Sequence, residues 1–138
     1  MRPAAAPRIL VDSSLWIEYY RPDGRRHRRE AVREALAQDR VATSAIILIE
    51  VLQGATTVEA YDALREDFAA LHWLDLTRAT AEQAARVGFD LRRRGETVPA
   101  TDLMIAAIAL DHECQLWHLD AHFERIARVV PLQQRKFR

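Results

Sequence analysis

Four carboxylates are set against apolar sequence in this chain. Asp12 closes "RILVD" (8–12). Glu50 interrupts "AIILIEVL" (45–52), with five apolar residues before it and two after. Asp102 heads the eight apolar residues Leu103 to Leu110, and Asp120 lies inside "HLDAH" (118–122). Carboxylates that converge without a cation repel one another and raise one another's pKa values. A hard divalent cation with oxygen ligands, Mg²⁺ or Mn²⁺, relieves that repulsion. An ion held this way activates water and offsets charge on a reacting phosphate, so no nucleophilic serine or cysteine is needed. Ser13 and Ser14 have no base nearby in sequence and read as caps or as donors to the acids. Each acid also has an ordinary explanation. Asp12 could cap a helix, Asp102 could favour the positive end of a helix dipole, and Asp120 could be a turn residue. Glu50 could reach solvent near Gly54 or pair with an arginine.

Whether the acids meet depends on the elements that carry them. "RILVD" reads as a short buried strand, followed by a helix in "SSLWIEYY" with serine at its start. "PDG" (22–24) is a turn, and residues 25–38 have helical spacing of Ala31, Val32, Ala35 and Leu36. "RVAT" (40–43) is a second strand. Ser44 then caps a helix that stops near Gly54, and another amphipathic helix follows from Thr57 to Leu71. "HWLDL" (72–76) is a third strand, residues 77–94 are helical, and Thr101 caps the helix "DLMIAAIALDH". "QLWHL" (115–119) is a fourth strand and "ARVVPL" (127–132) a fifth. Strands alternate with helices throughout, which implies an α/β layer fold with a mainly parallel sheet. In such sheets ligands sit outside the carboxyl ends of the strands. Asp12 and Asp120 fall at those ends, with Asp102 on a loop close to the same edge. The "AIILIEVL" helix is apolar on nearly every side, so Glu50 is expected to be buried.

The 138 residues suit one domain, 1–138, and the balance of 49% hydrophobic and 29% charged residues is that of an ordinary globule. The longest apolar run is too short to span a bilayer. "MRPAAAPRIL" has no stretch of signal-peptide length, so the chain reads as cytoplasmic. Cys114 is the only cysteine and is expected to be a small buried residue. With 20 basic and 20 acidic residues, bulk charge attracts no polyanion. "RPDGRRHRRE" (21–30), "LRRRGE" (91–96) and "QQRKFR" (133–138) are locally basic, and would hold a phosphate backbone only if folding brought them to one face.

"ILVDSSLWIEYY", the Glu in "TSAIILIEVLQG", "PATDLMIAAIAL" and "LWHLDAHFERIA" follow one another in the order and spacing of PIN-domain proteins. Within that family the chain most resembles the VapC-like toxins of type II toxin–antitoxin modules. The resemblance spans nearly the whole chain. It implies a three-layer α/β/α sandwich with a mainly parallel sheet of four to five short strands, and a metal-dependent endoribonuclease using Mg²⁺ or Mn²⁺. The family's acids fall on Asp12, Glu50, Asp102 and Asp120, with Asp12, Asp102 and Asp120 as expected metal ligands. The small hydroxyl residue after the first acid is Ser13, which would support an acid or a metal-bound water. The chain departs from the pattern at its last acid, where many members have Thr or Ser two residues before and an acid two residues after. His118 and His122 stand there instead. They raise the possibility of a softer metal, although His118 could simply hold Asp120 or contact a phosphate.

The resemblance also implies a VapB-like antitoxin whose C-terminal segment packs into a groove, for which Trp16, Tyr19, Tyr20 and Leu36 are candidates. The alternative is that some of these aromatics are plain core. A homodimer is implied in the same way, and RNA as the substrate. A catalytically inactive PIN-like module that binds RNA or protein is the alternative function. A full set of acids argues against it. A phosphoacceptor domain would want paired acids after the first strand and a lysine near the last, whereas the chain's only lysine is Lys136.

Overall fold

The computed structural model describes residues 6–138. Residues 1–5, which open the segment read as lacking a leader, lie outside the described residues. Among those described, five strands and seven helices alternate: β1 (Ile9–Val11), α1 (Ser13–Tyr20), α2 (Arg26–Ala37), β2 (Val41–Thr43), α3 (Ala45–Leu52), α4 (Val58–Ala69), β3 (His72–Trp73), α5 (Arg78–Arg93), α6 (Ala100–Asp111), β4 (Gln115–His118), α7 (Ala121–Ile126) and β5 (Gln134–Lys136). The sheet order is β3-β2-β1-β4-β5, and every pairing is parallel.

β1 lies at the centre, paired with β2 on one side and β4 on the other. Its three residues are completely buried, as expected of a parallel strand covered on both faces. Right-handed crossovers leave β1 towards β2 and β3 on one face of the sheet and return to β4 and β5 over the other. Accordingly α1 packs on α2 and α3, while α5 packs on α6 and α6 on α7. The order of the strands therefore reverses between β1 and β4. That reversal opens a crevice at the carboxyl ends of the strands. Leu10, Leu15, Trp16, Ile47, Leu91, Ile105, Ile108, Leu116, Phe123 and Ile126 fill the core between the layers.

Four local expectations change. The fifth strand lies at Gln134–Lys136 and not at 127–132. Val129 and Val130 instead donate back to the carbonyl of Ile126, prolonging the turn after α7, and Pro131 has no N–H to give a ladder. β5 is a polar edge strand, so no apolar pattern marks it. The helix carrying Asp102 starts at Ala100, before Thr101, because Pro99 with φ −56° leads directly into helical backbone. The helix after β1 is capped by Asp12 and not by a serine. β3 is shorter than "HWLDL", although the Leu74 amide adds one more bond to the Thr43 carbonyl. Cys114 is buried and unpaired, as expected.

Candidate active site

Asp12 leaves the sheet where β1 ends. Its backbone N–H still donates to the Trp117 carbonyl of β4 (2.9 Å), which fixes the residue at the crevice. The side chain turns back to cap α1: Oδ2 accepts from the Ser14 backbone N–H at 3.2 Å and from the Ser14 hydroxyl at 2.6 Å. Capping and a place at the rim are thus one geometry. The residue is only 5% exposed. Burial pushes its pKa above the ordinary carboxylate value, against the hydrogen bonds from Ser14 and Ser13.

Glu50 is placed by α3, which follows β2. The expectation of a fully buried helix does not hold. Ile49 is 61% exposed and Glu50 itself is half-buried. Glu50 pairs with no arginine. Its Oε1 is nevertheless shielded from solvent and has no hydrogen-bond partner. Burial raises its pKa first, and the charges of Asp12 and Asp102 raise it further, with Ser13 acting in the opposite direction. Ser13 is buried between the two sites of charge, while Ser14 is the residue that grips Asp12.

Asp102 sits in the first turn of α6. Burial again raises its pKa. A hydrogen bond with His122 lowers it, and the charges of Asp12 and Asp120 add to the upward push. Asp120 caps α7, its Oδ1 accepting from the His122 backbone N–H at 2.9 Å. His122 Nδ1 then lies 2.8 Å from Asp102 Oδ2 and 3.2 Å from Asp120 Oδ1. His118 lies beneath, fully buried. Its Nδ1 accepts from the Asp120 backbone N–H at 3.0 Å, so the proton is on Nε2, which donates to Gln134 Oε1 at 2.6 Å. Burial holds the ring's pKa below the usual histidine value. A phosphate contact from this buried ring does not fit its position. Its bonds tie the end of β4 to β5 and fix the Asp120 backbone.

The four acids thus come from four different elements and act on one another through Asp102. No arginine or lysine among the described residues makes an ion pair with any of them, and His122 is their only ion-pair partner. The donor atoms of Asp102, Asp120 and His122 all lie within 4.8 Å of one another, and Asp12 acts on Asp102 through its charge. The donor set fits a divalent cation. It is rich in carboxylate, and the orphaned Oε1 of Glu50 faces the charges of Asp12 and Asp102 nearby. Sequence reasoning raised His122 only as a possible sign of a softer metal, without a partner. The hint was its spacing in "HLDAH", but its partner Asp102 stands 20 residues away.

Away from the acids, Trp16, Tyr19, Tyr20 and Leu36 line one cleft of roughly 340 Å³, together with Val41, Leu71, Asp39 and Asp67. Trp16 is a core residue at 1% exposure, packed 4.9 Å from Phe68 between ring centroids. Tyr20 is 38% exposed, and its hydroxyl donates to Asp67 Oδ2 at 3.0 Å. Two of the three basic segments meet: His27 and Arg28 both contact the backbone carbonyl of Arg138. The third, at the end of α5, is tied instead to the segment after α7 through Arg128 and Glu96.

The PIN domain family model matches residues 9–129. VapC ribonuclease Mb1587 of Mycobacterium bovis is 37% identical over 134 residues, covering 94% of this chain and 99% of that protein. Ribonuclease VapC18 of Mycobacterium tuberculosis is 28% identical over 126 residues, covering 88% and 89%. Among solved structures, the DNA-bound VapBC of Salmonella typhimurium aligns over 95% of this chain and 98% of the other at 25% identity, with a TM-score of 0.74.

Proposed function

Since the chain belongs to the PIN domain family, we propose that it is a divalent-metal-dependent endoribonuclease, the toxin half of a VapBC-type pair, cutting RNA at the carboxyl rim of the sheet. PIN nucleases are metal-dependent. What carries the reading for this chain is the convergence of Asp12, Glu50, Asp102 and Asp120 with no cationic side chain beyond His122 to balance them. We read the whole chain, 1–138, as one domain acting in the cytoplasm, where its substrate is.

Asp12, Asp102 and Asp120 would hold the ion, with Glu50 acting directly or through a water, and Mg²⁺ or Mn²⁺ would serve. When bound, such an ion activates water and offsets charge on the phosphate and the leaving oxygen. The chain's residues do the rest. The α1 cap fixes Asp12 and the start of α6 presents Asp102. His118 and the α7 cap orient Asp120, and Ser13 lies beside Glu50. Glu50, held above the usual carboxylate range, is suited to take a proton from the attacking water.

The partner we assign is a VapB-like antitoxin, with its segment in the cleft of Trp16, Tyr19, Tyr20 and Leu36. Two copies of the chain would pair through the exposed apolar side of α3. The test is cleavage of cellular RNA by the purified chain with Mg²⁺ or Mn²⁺, with excess chelator, and with Asp102→Asn. Cleavage should need the metal and fall by at least about a hundredfold in the variant, which should still fold. Parental cleavage by Asp102→Asn would sink the assignment. RNA binding without cleavage under any metal would favour an inactive binding module.

A further inference from the structure

His122 directs its Nδ1 between two carboxylates. The separations are 2.8 Å to Asp102 Oδ2 and 3.2 Å to Asp120 Oδ1. Donor atoms bound at about 2.1 Å to one octahedral ion lie about 3.0 Å apart when they are neighbours in the coordination sphere. The two observed separations bracket that value. We propose that His122 Nδ1 is a direct ligand of the divalent ion, and that this nitrogen donor makes the site prefer Mn²⁺ to Mg²⁺. The inference rests on the metal-dependent nuclease reading and adds to it the identity of one ligand and the selectivity that follows.

The position of the ring is set by backbone. His122 opens α7, and its own N–H donates to the Asp120 carboxylate that caps the helix. This fixes the His122 backbone beside Asp120, while the ring's recorded bonds are those of its Nδ1 to the two carboxylates. Its side chain is 31% exposed, so an ion can enter from solvent. His118, the other imidazole close by, is not available: it is fully buried and both ring nitrogens are engaged. The remaining histidines lie elsewhere, His27 against Arg138, His72 against Asp39 and His112 against Asp75. Mg²⁺ is a hard ion that keeps oxygen ligands and waters. An imidazole nitrogen suits transition ions, and Mn²⁺ accepts carboxylate and nitrogen donors together. The competing picture is a ring that only donates a hydrogen bond to Asp102 and gives way when an ion arrives.

The two pictures differ in one spectrum. Mn²⁺ is added to the full chain and its electron spin-echo envelope modulation is recorded, which reads nitrogen bound directly to the ion. The expected result is modulation from one imidazole ¹⁴N. In His122→Asp, Mn²⁺ should still bind and the modulation should vanish. The preference for Mn²⁺, measured by Mg²⁺ competition, should fall by about tenfold or more. Bound Mn²⁺ without nitrogen modulation in the parent overturns the inference and leaves the nuclease reading standing. Modulation that persists in His122→Asp also overturns it, since another group would then be the donor. No Mn²⁺ bound at millimolar concentration overturns both readings. The parental spectrum decides the ligand question even if the variant folds poorly.

Discussion

At Asp102, burial and two neighbouring carboxylates all oppose ionisation, and only the His122 ring acts the other way. Asp12 and Glu50 are shifted upward as well, burial again being the largest cause. The folded chain therefore holds these protons in a pH range where the unfolded chain has released them. With fewer protons on the unfolded state, stability must fall as pH rises from the ordinary carboxylate values through the raised ones. In metal-free buffer, melting temperature should drop as pH climbs through that window. Asp102→Asn should flatten part of the drop and melt at or above the parental temperature near neutrality. Thermal scans of both proteins across pH with chelator present check this, and a parental melting temperature that rises throughout the window would contradict it. The acids themselves were readable in the sequence because each interrupts or ends an apolar run. The pairing of His122 with Asp102 was not, since a ring and a carboxylate 20 residues apart show no relation until α6 and α7 are set side by side.

Among the elements, α1 separates two functions along eight residues. Its inner side carries Trp16 into the core against Phe68, and its far end leaves Tyr20 half-open on the cleft, bonded to Asp67 of α4. Trp16→Ala should cost about 3–5 kcal/mol of stability, the usual range for an emptied aromatic site. Tyr20→Ala should melt close to the parent and still weaken the antitoxin complex by tenfold or more, as an exposed aromatic anchor does. Denaturant melts and titration with the cognate antitoxin separate the two, and unchanged antitoxin affinity in Tyr20→Ala would remove the cleft from the interface. Helical spacing alone placed both residues on α1 but did not divide core from cleft, because that depends on where α4 comes to rest. The same holds for β5: at the sheet edge it needs only backbone pairing, so its polar residues gave no sign of a strand.

For the molecule as a whole, α3 leaves an apolar side in solvent, one of several exposed large apolar side chains on the surface. Ile49 stands largely in solvent, with Ile46 one turn away on the same helix. Light scattering should give a mass about twice 15.8 kDa at micromolar concentration, and Ile49→Glu should return it to the monomer value with little change in melting temperature. A parental monomer, or an unaltered dimer in Ile49→Glu, would move the interface elsewhere. The apolar sequence of α3 was read as a sign of burial in the core, and the fold turns part of it outward.

Local chemistry was enough to determine the alternation of strands and helices and the parallel α/β class, because backbone propensity and apolar periodicity act over a few neighbouring positions. The pairing of His122 with Asp102 and Asp120, and the split of the aromatic cluster into core and cleft, came only with the tertiary structure. Each depends on atoms brought together from elements tens of residues apart by the reversal of strand order between β1 and β4, and no local preference encodes a distance of that kind.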